Sequence, residues 1–278
     1  MKTVLVTGAT GEVARGVLPF LQKEFDLRLL ALDPPGDDPR RVQADLLDWD
    51  ALARAMNGVE AVLHLAVATG HSGTFEDDTF NDCRFDVNVK GTFHVFETAR
   101  RLRVRRVVYV SSLMVSWGQG QGLHAVKQHW GGEDDVGELL VQGDAQPSPV
   151  GTYALTKALG ECIASYYAQA PLSSTRYAEA RPLEAISLRI AAPLDLEDPN
   201  LRRRPVRPQQ VPFPDLAQAF AKALTVPLYR YEVVTIVGDS SRQLWDLKPA
   251  QRVLGYRPAY SLDDLGVTFA DPFAVAEQ

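Results

Sequence analysis

The stretch TVLVTGATGEVA, residues 3–14, decides the fold. Residues 3–7 are apolar or β-branched with no polar alternation, the pattern of a short strand covered on both faces. Gly8, Gly11 and Ala14 follow at intervals of three, and EVARGVLPFLQKE (12–24) then has helical periodicity, with Pro19 as a flaw in it. Small residues at such a junction allow a tight turn, close approach of a pyrophosphate and contact between helix and strand. The helix N-terminus adds unpaired N–H groups and a dipole that favours phosphate. An ordinary strand-to-helix turn is the plainer alternative, but this context, a strand before and a helix after, is the one a dinucleotide turn needs.

The same alternation continues outward. Apolar runs at 27–33, 40–46, 60–66, 105–112 and 185–190 read as strands, and 50–58, 88–103 and the segment around Tyr153 as helices. Buried strands separated by helices give a parallel sheet covered on both faces: an α/β, Rossmann-type doubly wound fold. Residues 1–190 are expected to form this domain and 191–278 a small C-terminal substrate lobe, with the strand 232–237 returning to the main sheet. Two stretches break the rhythm. Residues 116–148 are a Gly-rich insertion, and 193–214 hold six prolines and the run RRRPVR.

Totals narrow the function. The chain has 278 residues, 46% hydrophobic and 23% charged, with a formal net charge of −6. That balance argues against a nucleic-acid surface. No apolar run reaches the roughly 18 residues of a membrane helix, and no secretory leader is evident at the N-terminus. Two cysteines imply no disulfide framework and fit a cytoplasmic setting.

GTYALTKALGE (151–161) sets Tyr153 and Lys157 one helical turn apart. Two readings stand: surface residues on a helix whose apolar stripe is Ala154, Leu155, Ala158, Leu159 and Ile163, or a working pair. Ser111 and Ser112 end the fifth strand, where ligands bind in open α/β sheets. Asp33, 25 residues after Gly8, ends the second strand. A carboxylate there accepts hydrogen bonds from adenosine hydroxyls and repels a 2′-phosphate, favouring NAD over NADP. Arg40 and Arg41 work against that preference. Asp45, beside Leu46 at the end of the third strand, either reaches the adenine amine or caps a loop.

Taken together, TGATGEVA, HLA (64–66), NVKGT (88–92), VVYVSS (107–112) and YALTK (153–157) resemble, in order, the extended short-chain dehydrogenase/reductase pattern of the NAD-dependent epimerase/dehydratase superfamily. VPFPDLAQAFAKAL (211–224) and LKPAQRVLGYRPAYSLDD (247–264) resemble its closing segments, so the likeness covers nearly the whole chain. It implies an NAD-dependent oxidoreductase in which Tyr153 is the general acid/base, Lys157 lowers its pKa and holds the nicotinamide ribose, and Ser112 holds the substrate oxygen, with Ser111 as fallback. An unperturbed phenol titrates near 10, so work near neutrality needs a drop of roughly 3 units. The likeness also implies NAD lying along Thr7, Gly8, Thr10, Gly11, Glu12 and Val13, along Asp33, Asp45 and Leu46, and along Leu65, Ala66 and Val67, near Asn88, Tyr153 and Lys157. Asn88 is read chiefly as structural. A homodimer is implied, through a four-helix bundle of the helices that carry Asn88 and Tyr153.

Departures from that pattern point to the substrate. Ser112 and Tyr153 stand 41 positions apart, a wide gap filled by the insertion, and LMVSWG (113–118) replaces the family's usual segment. Only about 20 residues separate Pro193 from the segment at 211, whereas members acting on nucleotide-linked sugars carry more. This points to a small free substrate such as a sugar or uronate. An epimerase or dehydratase that keeps its NAD, and a non-catalytic dinucleotide-binding protein, are the rivals. Arg202, Arg203, Arg204 and Arg207 form either a solvated loop or an anion site. Trp117 and Trp130 either line the cleft or anchor the insertion. His124 and His129 near Glu133, Asp134 and Asp135 match no metal-ligand spacing.

Overall fold

A computed structural model describes residues 1–34, 36–68, 70, 78–130, 139–169, 183–229 and 231–273. Its centre is a seven-stranded, wholly parallel sheet in the order β3-β2-β1-β4-β5-β6-β9. The strands are β1 (Thr3–Thr7), β2 (Asp26–Ala31), β3 (Arg41–Gln43), β4 (Ala61–His64), β5 (Arg106–Ser112), β6 (Glu184–Ile190) and β9 (Glu232–Ile236). The order reverses between β1 and β4, and in such sheets the crevice beyond the strand ends at that point is the binding site.

Strand residues alternate between two cores. Val4 and Val6 join Leu27, Leu63, Val108 and Ile186 beneath α1 (Glu12–Leu21) and α7 (Phe213–Thr225). Leu5 faces the other way, with Leu30, Val62, Val107 and Tyr109, under α2 (Trp49–Met56), α4 (Thr92–Arg101) and α6 (Thr152–Ala168). Neither face of the central strands meets water, so their sequences carry no polar alternation. α8 (Lys248–Leu254) follows β9, which pairs with β6.

Several boundaries differ from the sequence reading. β2 stops at Ala31 and β3 at Gln43, so Asp33 and Asp45 lie just beyond the strands rather than at their ends. The single helix expected over 88–103 is two pieces, a π-helical segment Asp86–Gly91 that buries Asn88 and Gly91 and then α4, and it is preceded by a short helix, α3 (Asn81–Phe85). A wider turn leaves the apolar spacing almost unchanged, so periodicity alone does not reveal it.

The larger correction concerns the insertion. Trp117–Trp130 is a 14-residue helix, α5, despite Gly118, Gly120 and Gly122. Each glycine costs about 1 kcal/mol relative to alanine in a helix, so tertiary contacts hold it. Residues 131–138 lie outside the described residues. In the tail, β7 (Pro193–Leu194) pairs with β8 (Val211–Pro212), pinching off 195–210 over a small core of Leu194, Leu201, Val206 and Leu262.

Candidate active site

The junction after β1 is built as a cradle. Gly8 has φ +67°, and a Cβ there would lie 2.6 Å from the Ala66 Cα on the neighbouring strand end. Only glycine combines that backbone with that approach. The Gly11 amide donates to the Gly8 carbonyl (3.0 Å), and α1 starts at the next residue with no side-chain cap at Gly11. Its first amides are therefore left for an anion.

Two cavities meet over this turn and share Gly8, Gly11, Leu65 and Val67. One, of about 280 Å³, also touches Thr10, Leu32, Asp33, Asp45, Leu46, Ala66 and Val87. The other, of about 430 Å³, is lined by Glu12, Val13, Ser112, Met114, Trp117, Tyr153, Lys157, Arg207, Gln209 and Gln210, among others. An elongated cleft in two chambers, bridged by a phosphate-sized turn, suits a dinucleotide whose halves lie on either side. Asp33 is exposed at the rim of the smaller cavity. Arg40 is held by Asp38 (2.7 Å) and Gln22 (2.9 Å), so its charge is already paired. The Asp45 carboxylate accepts from the Leu47 amide (2.9 Å), the loop-capping alternative, while also bordering the cavity.

Thr7 and Asn88, expected against the cofactor, do not line either cavity. They belong to a buried chain of hydrogen bonds whose directions are fixed. Thr156 Oγ1 donates to the Tyr153 carbonyl (2.8 Å) and so accepts from Asn88 Nδ2 (3.0 Å). Thr92 Oγ1 donates to the Asn88 carbonyl (2.6 Å) and so accepts from His64 Nε2 (3.0 Å). His64 Nδ1 then accepts from Thr7 Oγ1 (2.7 Å), which in turn receives the Ala66 amide (3.2 Å). Asn88 also clamps both backbone groups of Ala68, its amide (2.7 Å) and its carbonyl (3.0 Å). The Asn88 side chain thus makes its hydrogen bonds to the protein itself. His64 is neutral: burial, then the Lys157 charge, push its pKa down to about 3.

Tyr153 and Lys157 are 9% and 3% exposed, which removes the surface-residue alternative. Ser112 hydrogen-bonds the Tyr153 phenol and also caps the turn that follows β5, accepting from the Met114 amide (3.2 Å). Ser111, which also lines the cavity, donates instead to Glu161 (2.6 Å), leaving Ser112 as the hydroxyl beside the phenol. Lys157 donates to the Val110 carbonyl and sits 4.6 Å from the centre of the Tyr109 ring. Burial lowers its pKa to about 7, against the pull of the Glu161 carboxylate, itself paired with Arg189 (2.7 Å).

Burial raises the Tyr153 phenol above its ordinary value, and Ser112 and the Arg84 charge work in the opposite direction. Arg84, fully buried on α3, had no signal in the sequence, where NDCRF carries no motif.

Of the four candidate anion-binding arginines only Arg207 reaches the cavity. Arg202 donates to the Leu265 carbonyl (3.1 Å), Arg204 pairs with Asp198 (2.6 Å), and Arg203 is exposed. Trp117 lines the cavity, and the side chain of Trp130 lies outside what the structure describes. His124 meets Asp271 (3.3 Å), and no group of three potential metal ligands occurs among the described residues. Glu133, Asp134 and Asp135 lie outside them. No helix among the described residues is long and apolar enough to cross a membrane.

Comparison with known proteins agrees with this geometry. The chain is 28% identical over 260 residues to a uronate dehydrogenase of Pseudomonas syringae pv. tomato, covering 92% of this chain and 81% of that one. It is 26% identical to an NAD-dependent glucose-6-phosphate dehydrogenase of Haloferax volcanii, with 92% of each covered. A crystal structure of a short-chain dehydrogenase/reductase superfamily protein from Agrobacterium tumefaciens with bound NAD superimposes with a TM-score of 0.71. It is 20% identical, covering 95% of this chain and 94% of that one, and shares the fold. The sequence profile described as "NAD dependent epimerase/dehydratase family" matches residues 4–189. With the glycine cradle, the acidic end of the cleft and the Ser112–Tyr153 pair, this match makes the chain an enzyme with NAD as its cofactor and a member of the NAD-dependent epimerase/dehydratase family.

Proposed function

We propose that the enzyme oxidises a hydroxyl of a small, free, anionic sugar derivative such as a uronate. Bound NAD supplies the hydride acceptor. The observation that carries this reading is the convergence of Ser112, Tyr153, Lys157 and Arg207 on one cavity of about 430 Å³. Ser112 holds the substrate oxygen, and Tyr153 takes its proton as hydride leaves the adjoining carbon. In this state the phenol carries its proton, set to donate to a carbonyl in the reverse direction. For oxidation it is drawn down by Arg84, which already acts on it, and by Lys157 one turn along the helix.

Arg207 supplies a guanidinium matched to a carboxylate or phosphate. Consistent with it, relatives named above act on a uronate and on a sugar phosphate. The shortness of the span from 195 to 210, between β7 and β8, favours a free sugar over one that carries a nucleotide. The test is NADH production with D-glucuronate, D-galacturonate, glucose 6-phosphate and the neutral aldoses. Equal kcat/KM for the anionic sugars and their neutral parents would sink the anionic reading. NAD that co-purifies, with sugar isomerised and no net NADH, would point to an epimerase.

A homodimer through α4 and α6 is part of this reading. Phe96 is spent on the core, while Phe93, Leu155 and Tyr166 remain 41%, 41% and 65% exposed. Light scattering at micromolar concentration is expected to give twice the monomer mass. Free, exposed Cys83 and Cys162 fit a reducing cytoplasm.

A further inference from the structure

The insertion and the C-terminal segment, far apart in sequence, build one wall of the substrate chamber. Trp117, the first residue of α5, lines the chamber that holds Ser112 and Tyr153. Its indole stacks on the buried Trp245 (centroids 6.0 Å, 22°) and meets the edge of Phe273 (4.6 Å, 66°). Trp245 is anchored by its own N–H to Ser116 Oγ (3.2 Å). Gly120 makes room for both rings, since a methyl there would lie 2.5 Å from Trp245 and 3.0 Å from Phe273. This is a physical reason for glycine inside an otherwise weak helix.

The segment that carries Phe273 grips the opposite wall as well. Val206 exchanges backbone hydrogen bonds with Thr268 (2.8 Å) and Ala270 (2.9 Å), immediately before Arg207. Gln209, which lines the chamber, donates to the Pro272 carbonyl (3.0 Å). Asp271 pairs with His124 on α5 (3.3 Å), whose ring packs 5.1 Å from that of Phe273. One short strap therefore joins the indole side of the chamber to the arginine side.

We infer that Trp117, backed by Phe273 and held to the Arg207 wall by residues 268–273, is the specificity-determining platform for the substrate ring. One face and edge of the indole are spent on protein rings, and the chamber is otherwise largely apolar beside it: Leu113, Met114, Ile190 and Ala191. The polarised C–H face of a pyranose packs on such a ring, while Arg207 takes the anionic group and Ser112 the reacting oxygen. Three contacts from three distant segments then fix the ring against Tyr153. This rests on the sugar reading above.

The test compares wild type with Trp117→Ala, Trp117→Phe, Phe273→Ala and Asp271→Asn, by NADH titration and by initial rates on the best substrate of the panel. NADH affinity is expected to stay within about twofold throughout, because none of these residues borders the adenosine chamber. KM for the sugar should rise about tenfold or more for Trp117→Ala and Phe273→Ala, the scale of a lost apolar pocket contact. Trp117→Phe should recover most of that loss. Asp271→Asn leaves the aromatic cluster intact, so it serves even if Phe273→Ala folds poorly; its KM should rise about two- to fivefold, the scale of an exposed ion pair. Unchanged KM in Phe273→Ala and Asp271→Asn, with NADH still bound, would overturn the inference. Wild-type inactivity on every sugar breaks the substrate reading instead. The same KM comparison on whichever alcohol the wild type then oxidises still decides whether Trp117 and its strap form the wall.

Discussion

The two chambers of the cleft are built on opposite plans. The adenosine chamber takes all its described lining residues but one, Val87, from the first 67 positions, at the ends of β1, β2, β3 and β4. The other chamber shares the turn and the strand ends around residues 8–14, Leu65 and Val67, but takes the rest of its lining from 110–114, 117, 153–157, 190–193 and 207–210, and is backed by Trp245 and Phe273. A phosphate cradle is a local device: one positive-φ glycine and one helix start suffice. Recognition of a substrate ring needs groups on several sides of it, which a chain achieves only by bringing distant segments together.

The sharpest way to separate the chambers is Tyr153→Phe. It keeps the ring and its packing but removes the exchangeable proton, so turnover should fall by about 10²–10⁴ while NADH titrates as in the wild type. An enzyme retaining half its activity would take the phenol out of the mechanism.

Arg207→Met should act on the other wall. KM for a uronate should rise by about 10- to 100-fold, the scale of a lost charge-assisted pair, with little effect on a neutral aldose. Equal losses on both would mean that Arg207 only supports the loop.

Asp33→Ser attacks the adenosine chamber alone. NADH affinity should drop about tenfold, one hydrogen bond to a charged group, and the preference over NADPH should narrow. Fluorescence titration with both cofactors reads this directly. A rise in KM for the sugar at saturating NAD would show the chambers to be coupled.

Lys157→Met gives the smallest expected change in fold stability and the most diagnostic sign. The folded-state pKa of Lys157 is about 7, below its ordinary 10.5, so between those values the unfolded chain binds the extra proton. Stability therefore rises with pH across that window, and the burial penalty is fully present below it. Removing the ammonium should raise Tm at pH 7 by about 2–4 °C for each kcal/mol recovered, flatten the alkaline rise, and still cost activity. A lower Tm would show that the Val110 hydrogen bond outweighs the burial penalty. His64 shifts in the same sense at lower pH, from 6.5 to about 3, and adds stability that is lost as pH falls through that window.

Much of the cofactor half was legible before any coordinates. TGATGEVA, the acidic residue after the second strand and the ordered motifs fixed the doubly wound sheet, the turn and the Tyr153–Lys157 pair. What escaped has identifiable causes. The helix Trp117–Trp130 was hidden by three glycines, whose poor propensity is overruled by the rings packed against it. The π-helical segment at Asp86–Gly91 leaves apolar periodicity nearly intact, and Arg84 bears on Tyr153 from a segment with no motif.

By itself, the sequence determined the alternation of strands and helices in the nucleotide half, because continuous apolar runs and small turn residues are local and period-bound. It also singled out Tyr153 and Lys157, through the resemblance of its ordered motifs to the family pattern rather than through their spacing alone. Only the tertiary structure decided which serine bonds the Tyr153 phenol, which of four arginines borders the cavity and what stands behind Trp117. Those choices depend on burial and on distances between residues such as Ser112 and Tyr153, or Trp117 and Phe273, that lie far apart along the chain. Desolvation and packing act on positions in space, and no pattern along a sequence encodes them one residue at a time.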